Sequence, residues 1–167
     1  AVAQYVPKNA SSVKVGTVKL SATTGDVTVQ SLTVSRSGLG NASDIASTNG
    51  VRAAQNGVVI SSSADYYNST SQKAAVYFSP ALTVKAGTST NVDILVNLSG
   101  SENSQHQFTL DAVNTNGTVT GTPITLGLLN TTSYVTTTTI ASLTSVGGNV
   151  TPGKTAQLVA KIDVSAG

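Results

Sequence analysis

Residues 92–98 read VDILVNL and place an apolar residue at every second position, at Val92, Ile94, Val96 and Leu98. Successive side chains of an extended strand point to opposite faces, so these four side chains share one face. The interleaved residues include an aspartate and an asparagine, as expected for a strand that buries one face and leaves most of the other in water. This stretch predicts a half-buried strand in a sheet that covers a core.

The same alternation recurs along the chain, whereas the period of a helix does not. A second clear example is the set Leu158, Ala160, Ile162 and Val164. Turn-forming pairs such as Asn56-Gly57 separate the apolar segments. We therefore predict an all-β chain, an Ig-like or jelly-roll-like β-sandwich of about ten short strands with an extended N-terminal strand. The further candidate strands are residues 13–20, 27–34, 58–61, 75–78, 108–113, 118–120, 124–128 and 134–140.

Two segments depart from the simple alternation. The apolar positions are odd at Val27 and Val29 but even at Leu32 and Val34, so one extra residue between them predicts a β-bulge. Residues 38–54 have no clear period, and we predict a long surface loop there with a helical turn after Ser43.

Composition narrows the classes of protein to which the chain can belong. Charged residues are 10% of the chain and Cys, Met and Trp are absent, yet the aliphatic residues are patterned, which favours a folded chain over a disordered one. The nine basic residues are scattered, so we expect no nucleic-acid partner. Because no segment approaches the roughly 20 apolar residues of a membrane span, we expect no membrane insertion. The chain begins at Ala1 without Met, which predicts a removed leader peptide, or a fragment, and an extracellular location at the cell surface.

Catalytic and metal-binding groups are sparse. The single histidine, His106, lies between Gln105 and Gln107, and this polar setting predicts an exposed strand start. No Gly-x-Ser-x-Gly motif or cysteine supplies a nucleophile, so we expect a protein that is not an enzyme, with no catalytic residue, cofactor or metal site. Two interpretations of Asp44 and Asn49 stay open, namely calcium binding where loops converge and the capping of turns.

Asparagine sequons are the strongest motif in the chain. The pattern Asn-x-Ser/Thr occurs more often than the roughly three times that composition alone predicts, which favours N-linked glycans on a secreted surface. Pro152 directly after the last motif counts against modification of that site. The candidate glycosylation sites are Asn9, Asn41, Asn68, Asn97, Asn116, Asn130 and Asn149.

The N-terminal segment is short, uncharged and able to extend. It consists of Ala1, Val2, Ala3, Gln4, Tyr5 and Val6, and Pro7 then prevents continued ladder pairing. Such a segment can add as a strand to the sheet of a neighbouring subunit, with Val2 and Val6 filling a groove. A frayed terminus and a first strand of the chain's own sheet are the alternatives.

A resemblance rests on residues 26–29 (DVTV), 32–34 (LTV) and 82–88 (LTVKAGT), which are separated by a Gly-rich loop. This pattern resembles β-sandwich modules of prokaryotic surface-layer and filament proteins, including archaeal thread and bundling-pilus subunits. The density of sequons is similar to that of the archaeal thread proteins. The resemblance implies subunits joined by donor-strand complementation, with residues 1–6 as the donor strand.

The expected function follows from these features together. We predict a structural subunit of an extracellular homopolymeric filament, with residues 1–12 as an extended segment and residues 13–167 as one sandwich domain. Two small sandwiches remain the alternative organisation. The alternative function is a cell-surface adhesin, a surface-layer module or a carbohydrate-binding module, for which Tyr66-Tyr67 is the candidate aromatic platform.

Overall fold

A computed structural model describes residues 3–62, 66–133, 138–145 and 160–166 of the chain. The chain divides into two compact units, Ala1–Ser133 and Tyr134–Gly167. The predicted boundary between residues 12 and 13 falls in the connection between the first two strands of the first unit.

The first unit is a sandwich of two sheets, which confirms the predicted all-β fold. The larger sheet has six strands in the order β1-β10-β9-β3-β7-β6, and the smaller sheet has four in the order β2-β8-β4-β5. Neighbouring strands are antiparallel except for the parallel pair β1 and β10. The strands are β1 (Ala3–Pro7), β2 (Val13–Ser21), β3 (Val27–Ser37), β4 (Val51–Gln55), β5 (Val58–Val59), β6 (Tyr67–Asn68), β7 (Lys73–Val84), β8 (Ser89–Val96), β9 (Gln105–Thr115) and β10 (Ile124–Thr132).

The core is built by the alternating residues of both sheets. Val92, Ile94 and Val96 of the VDILVNL stretch are fully buried, as the alternation predicts. They pack in one cluster with side chains of the opposite sheet, among them Leu32 and Phe108. Each such side chain contributes about 1.5–3 kcal/mol when it is removed from water, so this shared face is what holds the two sheets together.

The predicted β-bulge is present in β3. Val29 and Ser31 pair with Thr115 and Asn114, which are consecutive residues of β9, so Gln30 is the extra residue. The bulge changes which positions face the core. Val29 is buried before the bulge, and Leu32, Val34 and Arg36 are buried after it.

The prediction of a long surface loop over residues 38–54 is wrong at its C-terminal end. β4 begins at Val51 and pairs with the centre of the smaller sheet, and Ala53 is fully buried. Alanine has little β propensity, which hid this strand in the sequence. The helical turn is a single 3₁₀ turn at Ala42–Asp44, slightly before its predicted position.

The strand directions define two ends of the first unit. The first pole comprises residues 36–44, 97–106 and 130–132, and the second pole comprises residues 22–28, 84–88 and 115–118. β3 runs from the second pole to the first over 11 residues, a length of about 36 Å at ~3.3 Å per residue.

The second unit contains an antiparallel pair, β11 (Thr138–Ser145) and β12 (Ala160–Ala166), with a register shift between Ile140 and Ser142. β12 covers most of the predicted strand that ends at Val164, and Leu158 lies outside the described residues. Among the residues that the structure describes, no helix is long and apolar enough to cross a membrane.

Candidate functional site

β1 is the outermost strand of the larger sheet. It pairs with β10 in parallel, from Ala3 opposite Leu128 to Pro7 opposite Thr132. Within the described part of the chain, no strand pairs with its other side. Val6 is half-buried against the core, whereas Tyr5 on the outer face is 76% exposed. Of the predicted donor residues, Ala1 and Val2 lie outside the described residues.

The connection from β1 to β2 is short. Only residues 8–12 separate Pro7 from Val13. The Ala10 N–H donates to the Pro7 carbonyl at 3.0 Å, and the Lys8 N–H donates to the Thr132 carbonyl at 3.2 Å. Ser12 has a φ of 55°, a left-handed conformation that non-glycine residues rarely adopt. The connection is therefore a tight and locally strained crossing from one sheet to the other.

Other strand edges of the first unit are open as well. β2 is the outermost strand of the smaller sheet, and in the described part of the chain its outer side has no ladder partner. β7 is 12 residues long, and on its outer side β6 pairs with two residues while Ser61 and Ser62 bond near Phe78 and Tyr77, so its outer edge is only partly covered in the described part of the chain. Unpaired N–H and C=O groups on such edges are able to accept a strand from another chain.

The candidate glycosylation sites differ in exposure. Asn149 lies outside the described residues. Asn97 is half-buried and both ends of its amide are engaged, because Oδ1 accepts from the Ser12 N–H at 2.7 Å and Nδ2 donates to the Asn49 carbonyl at 2.7 Å. Asn130 is half-buried, and its Oδ1 accepts from Gln105 Nε2 at 3.3 Å. The exposed sites are Asn9, Asn41, Asn68 and Asn116.

A buried ionic cluster lies at the first pole. Arg36, Asp44 and His106 are at most 5% exposed. Arg36 Nε donates to His106 Nδ1 at 3.0 Å, and the guanidinium also donates to the Gly40 carbonyl. His106 Nε2 lies 3.5 Å from Asp44 Oδ2. The cluster joins the end of β3, the 3₁₀ turn and the start of β9.

The geometry of the cluster assigns the protonation of His106. Because Nδ1 accepts a hydrogen bond from Arg36, the proton of the neutral ring belongs on Nε2, facing Asp44. Burial and the nearby Arg36 cation lower the pKa of His106, and the Asp44 anion opposes them. Burial acts to raise the pKa of Asp44, but hydrogen bonds from Ser104, Ser101 and Asn41 outweigh it, so that the pKa is lowered.

His106 lies at a strand start as predicted, as the second residue of β9, but the predicted exposure is wrong. Its side chain is fully buried, because it shares the inward phase of β9 with Phe108 and Leu110. The same alternation explains why Arg36 is buried, because it lies two residues after Val34 and four after Leu32 on the inward face of β3. Their polar neighbours on the outward face concealed the inward alternation. Since no substrate reaches a fully buried ring, we assign the cluster a structural role.

Two glycines allow the loops to approach the cluster. A Cβ on Gly40 would lie 2.5 Å from His106 Cε1 and 2.7 Å from Ser104 Cβ. A Cβ on Gly100 would also overlap Asp44. The loops therefore pack directly on the charged side chains, which keeps the segment from Gly38 to Asp44 in place.

Comparisons of the chain with protein-family models, with curated proteins and with solved structures found no match. Among the described residues, no group of three or more His, Cys, Asp and Glu side chains lies close enough to hold a metal ion. The oxygens of Asp44 accept hydrogen bonds from Asn41 and Ser101, which is the role expected of a turn-capping side chain. A cleft beside Val18 and Ile124, lined by both apolar and polar side chains, has a volume of about 150 Å³. More open surface depressions, such as the one beside Gly87 and Ser89, reach about 390 Å³.

Proposed function

We propose that this protein is the structural subunit of an extracellular homopolymeric filament, and that subunits join by exchanging β1. The observation that carries the proposal is the attachment of β1, which among the described residues is paired along one side only and is joined to β2 by five residues. Such a strand can leave its sheet while the rest of the core stays packed. Exchange of an identical element between copies then forms the same contacts between subunits.

The energy balance of exchange favours neither form strongly. The ladder between β1 and β10 is lost and then regained with a neighbour, so its net contribution cancels. Extending residues 8–12 releases the left-handed conformation of Ser12, which costs of order 1–3 kcal/mol. Ordering two copies opposes this gain. Protein concentration therefore sets the extent of polymerisation.

The surface chemistry supports an extracellular, glycosylated subunit. The exposed sequons at Asn9, Asn41, Asn68 and Asn116 offer attachment points for N-linked glycans. The titratable groups that are buried serve the packing of the first pole. A glycan coat and open strand edges suit a protein that works outside the cell as a polymer.

A disulfide trap tests the exchange, because the chain has no cysteine of its own. Tyr5 and Asn130 are register partners on the outer face of the β1 and β10 pair. Paired strands lie about 4.8 Å apart, within the range that a disulfide bridges. In Y5C/N130C polymers, oxidation is expected to give a covalent ladder on a non-reducing gel. Bridges found only within single chains would refute the exchange.

Two controls accompany the trap. The single variants Y5C and N130C report random collisional cross-linking. Deletion of residues 1–7 removes the exchanged strand and is expected to abolish polymers while circular dichroism still shows a folded sandwich. Polymers that survive this deletion would also refute the assignment.

The alternative is a cell-surface adhesin, a surface-layer module or a carbohydrate-binding module. Leu39 favours a contact surface for another protein, since it is 92% exposed on a loop that the buried cluster holds. The sugar platform is not formed, because Tyr67 is buried in the core while Tyr66 is exposed. A monomer that binds a surface through Leu39 would place this alternative first.

A further inference from the structure

The attachment of β1 also restricts how two exchanging copies can be oriented. We infer that consecutive subunits meet through their first poles, so that the filament repeat runs across the strands and not along them. This inference rests on the proposed exchange of β1 and adds the surface through which a second copy is held.

Both ends of the connection lie at the first pole. Pro7 is opposite Thr132, at the end of β10, and Val13 begins β2 opposite Val96. The Ser12 N–H is bonded to Asn97 at the same pole. An exchanged β1 therefore leaves its own subunit at the first pole. Its Pro7 must then lie at the first pole of the neighbouring copy, because the register with β10 is retained.

The reach of the connection sets the limit on the distance between these poles. From Pro7 to Val13 there are six residue steps, which span at most about 21 Å when fully extended. In an end-to-end stack, the first poles of neighbours are separated by at least the length of the body. β3 alone covers about 36 Å at ~3.3 Å per residue. The connection is too short for that stack unless β2 gives up its pairing with β8.

The first pole offers a firm surface for the contact. Leu39 projects there between Gly38 and Gly40, and Arg36 is bonded to the Gly40 carbonyl beneath it. An exposed apolar side chain on a rigid loop loses little conformational entropy when it is covered. Two sequons, at Asn9 and Asn41, are exposed in or beside the same surface.

Fluorescence energy transfer between neighbours tests the orientation. Ser99 is exposed at the first pole, and Gly25 is at the second pole, where an added Cβ meets nothing within 4 Å. Monomers of S99C carrying a donor dye are mixed before assembly with S99C carrying an acceptor, or with G25C carrying the same acceptor. We expect higher transfer in polymers of the first mixture, in which both dyes mark the first pole.

The outcomes separate the inference from the function on which it rests. Equal or higher transfer in the S99C and G25C mixture overturns the first-pole contact, while a covalent ladder from Y5C/N130C leaves strand exchange standing. If the disulfide bridges in Y5C/N130C form only within single chains, strand exchange is refuted. The first-pole contact is then refuted as well, because it is inferred from strand exchange. Higher transfer between first-pole dyes, together with the ladder, supports both.

Discussion

Between roughly pH 7.5 and 5.5, acid is expected to destabilise the first unit through the buried side chain of His106. Its Nδ1 accepts a hydrogen bond from Arg36, the only charged group besides Asp44 that faces the ring among the described residues. With a proton on Nδ1, the His106 Nδ1–H and the Arg36 Nε–H would both be donors that point at each other. Protonation would also add a second positive charge to a buried site. Folding therefore disfavours the protonated ring, in agreement with the lowered pKa of His106.

The sign of the effect follows from proton linkage. Near pH 6.5 and below, His106 binds a proton in the unfolded chain, whereas burial keeps it unprotonated in the folded chain. The free energy of unfolding therefore falls as the pH falls. One proton corresponds to about 1.4 kcal/mol per pH unit once the unfolded histidine is fully charged. Between roughly pH 7.5 and 5.5 the expected loss is up to about 1.4 kcal/mol. The pKa values of Asp44 and Asp93 are lowered, so these carboxylates titrate below this range.

The assay compares wild type with His106→Gln. Glutamine keeps one acceptor and one donor, so it can hold Arg36 and Asp44 without titrating. Urea unfolding is followed by tyrosine fluorescence, since the chain has no tryptophan, at several values of pH. The wild type is expected to lose stability towards acid across this range, and H106Q is expected to lose less. Because His106 is the only histidine, its ring-proton resonance gives a direct second measurement.

Equal pH slopes for the two proteins would refute the reasoning. A ring-proton resonance that titrates near pH 6.5 in the folded protein would do the same, since it would show that the buried ring accepts a proton freely. Other groups that titrate in this range, such as the α-amino group, are present in both proteins and cancel in the comparison.

Two further predictions concern packing and glycosylation. Gly40→Ala should destabilise the first unit by about 1–3 kcal/mol in urea unfolding, because its Cβ would overlap His106 Cε1. Gly25→Ala, which has open space, is the matched control, and equal losses would contradict the packing at the first pole. In glycopeptide mass spectrometry of native material, Asn68 is expected to carry glycan and Asn97 is not, since the Asn97 amide is engaged at both ends. Glycan at Asn97 in folded subunits would show that its amide is free.

The alternation of residues predicted most of the long strands and the bulge, but the strand predicted at residues 118–120 is not formed. Both depend on neighbours within a few positions, and a phase change at Val29 to Leu32 has one simple geometric outcome. The strand at Val51–Gln55 was not predicted, because alanine has a low β propensity even where it is fully buried. Pairing with β8 stabilises this strand, and that pairing cannot be predicted from the local sequence.

The candidate site was only partly visible in the sequence. The extended N-terminal segment was identifiable from its composition and from Pro7. Its pairing with β10 was not identifiable from the sequence. That pairing determines where the connection of residues 8–12 lies and how far it can extend. The buried cluster was missed because His106 was judged by its sequence neighbours Gln105 and Gln107, although its neighbours in space are two residues away along β9 and across the sheet.

The sequence by itself determined the fold class, the bulge and the positions able to carry glycans, because each of these is encoded in local patterns of a few residues. The tertiary structure decided which strand holds β1, which sequon amides are exposed, and that Arg36 meets His106 across 70 positions of the chain. Such contacts depend on sheet order and register, which are set by the packing of the whole core. A local pattern carries no information about which distant strand will lie beside it.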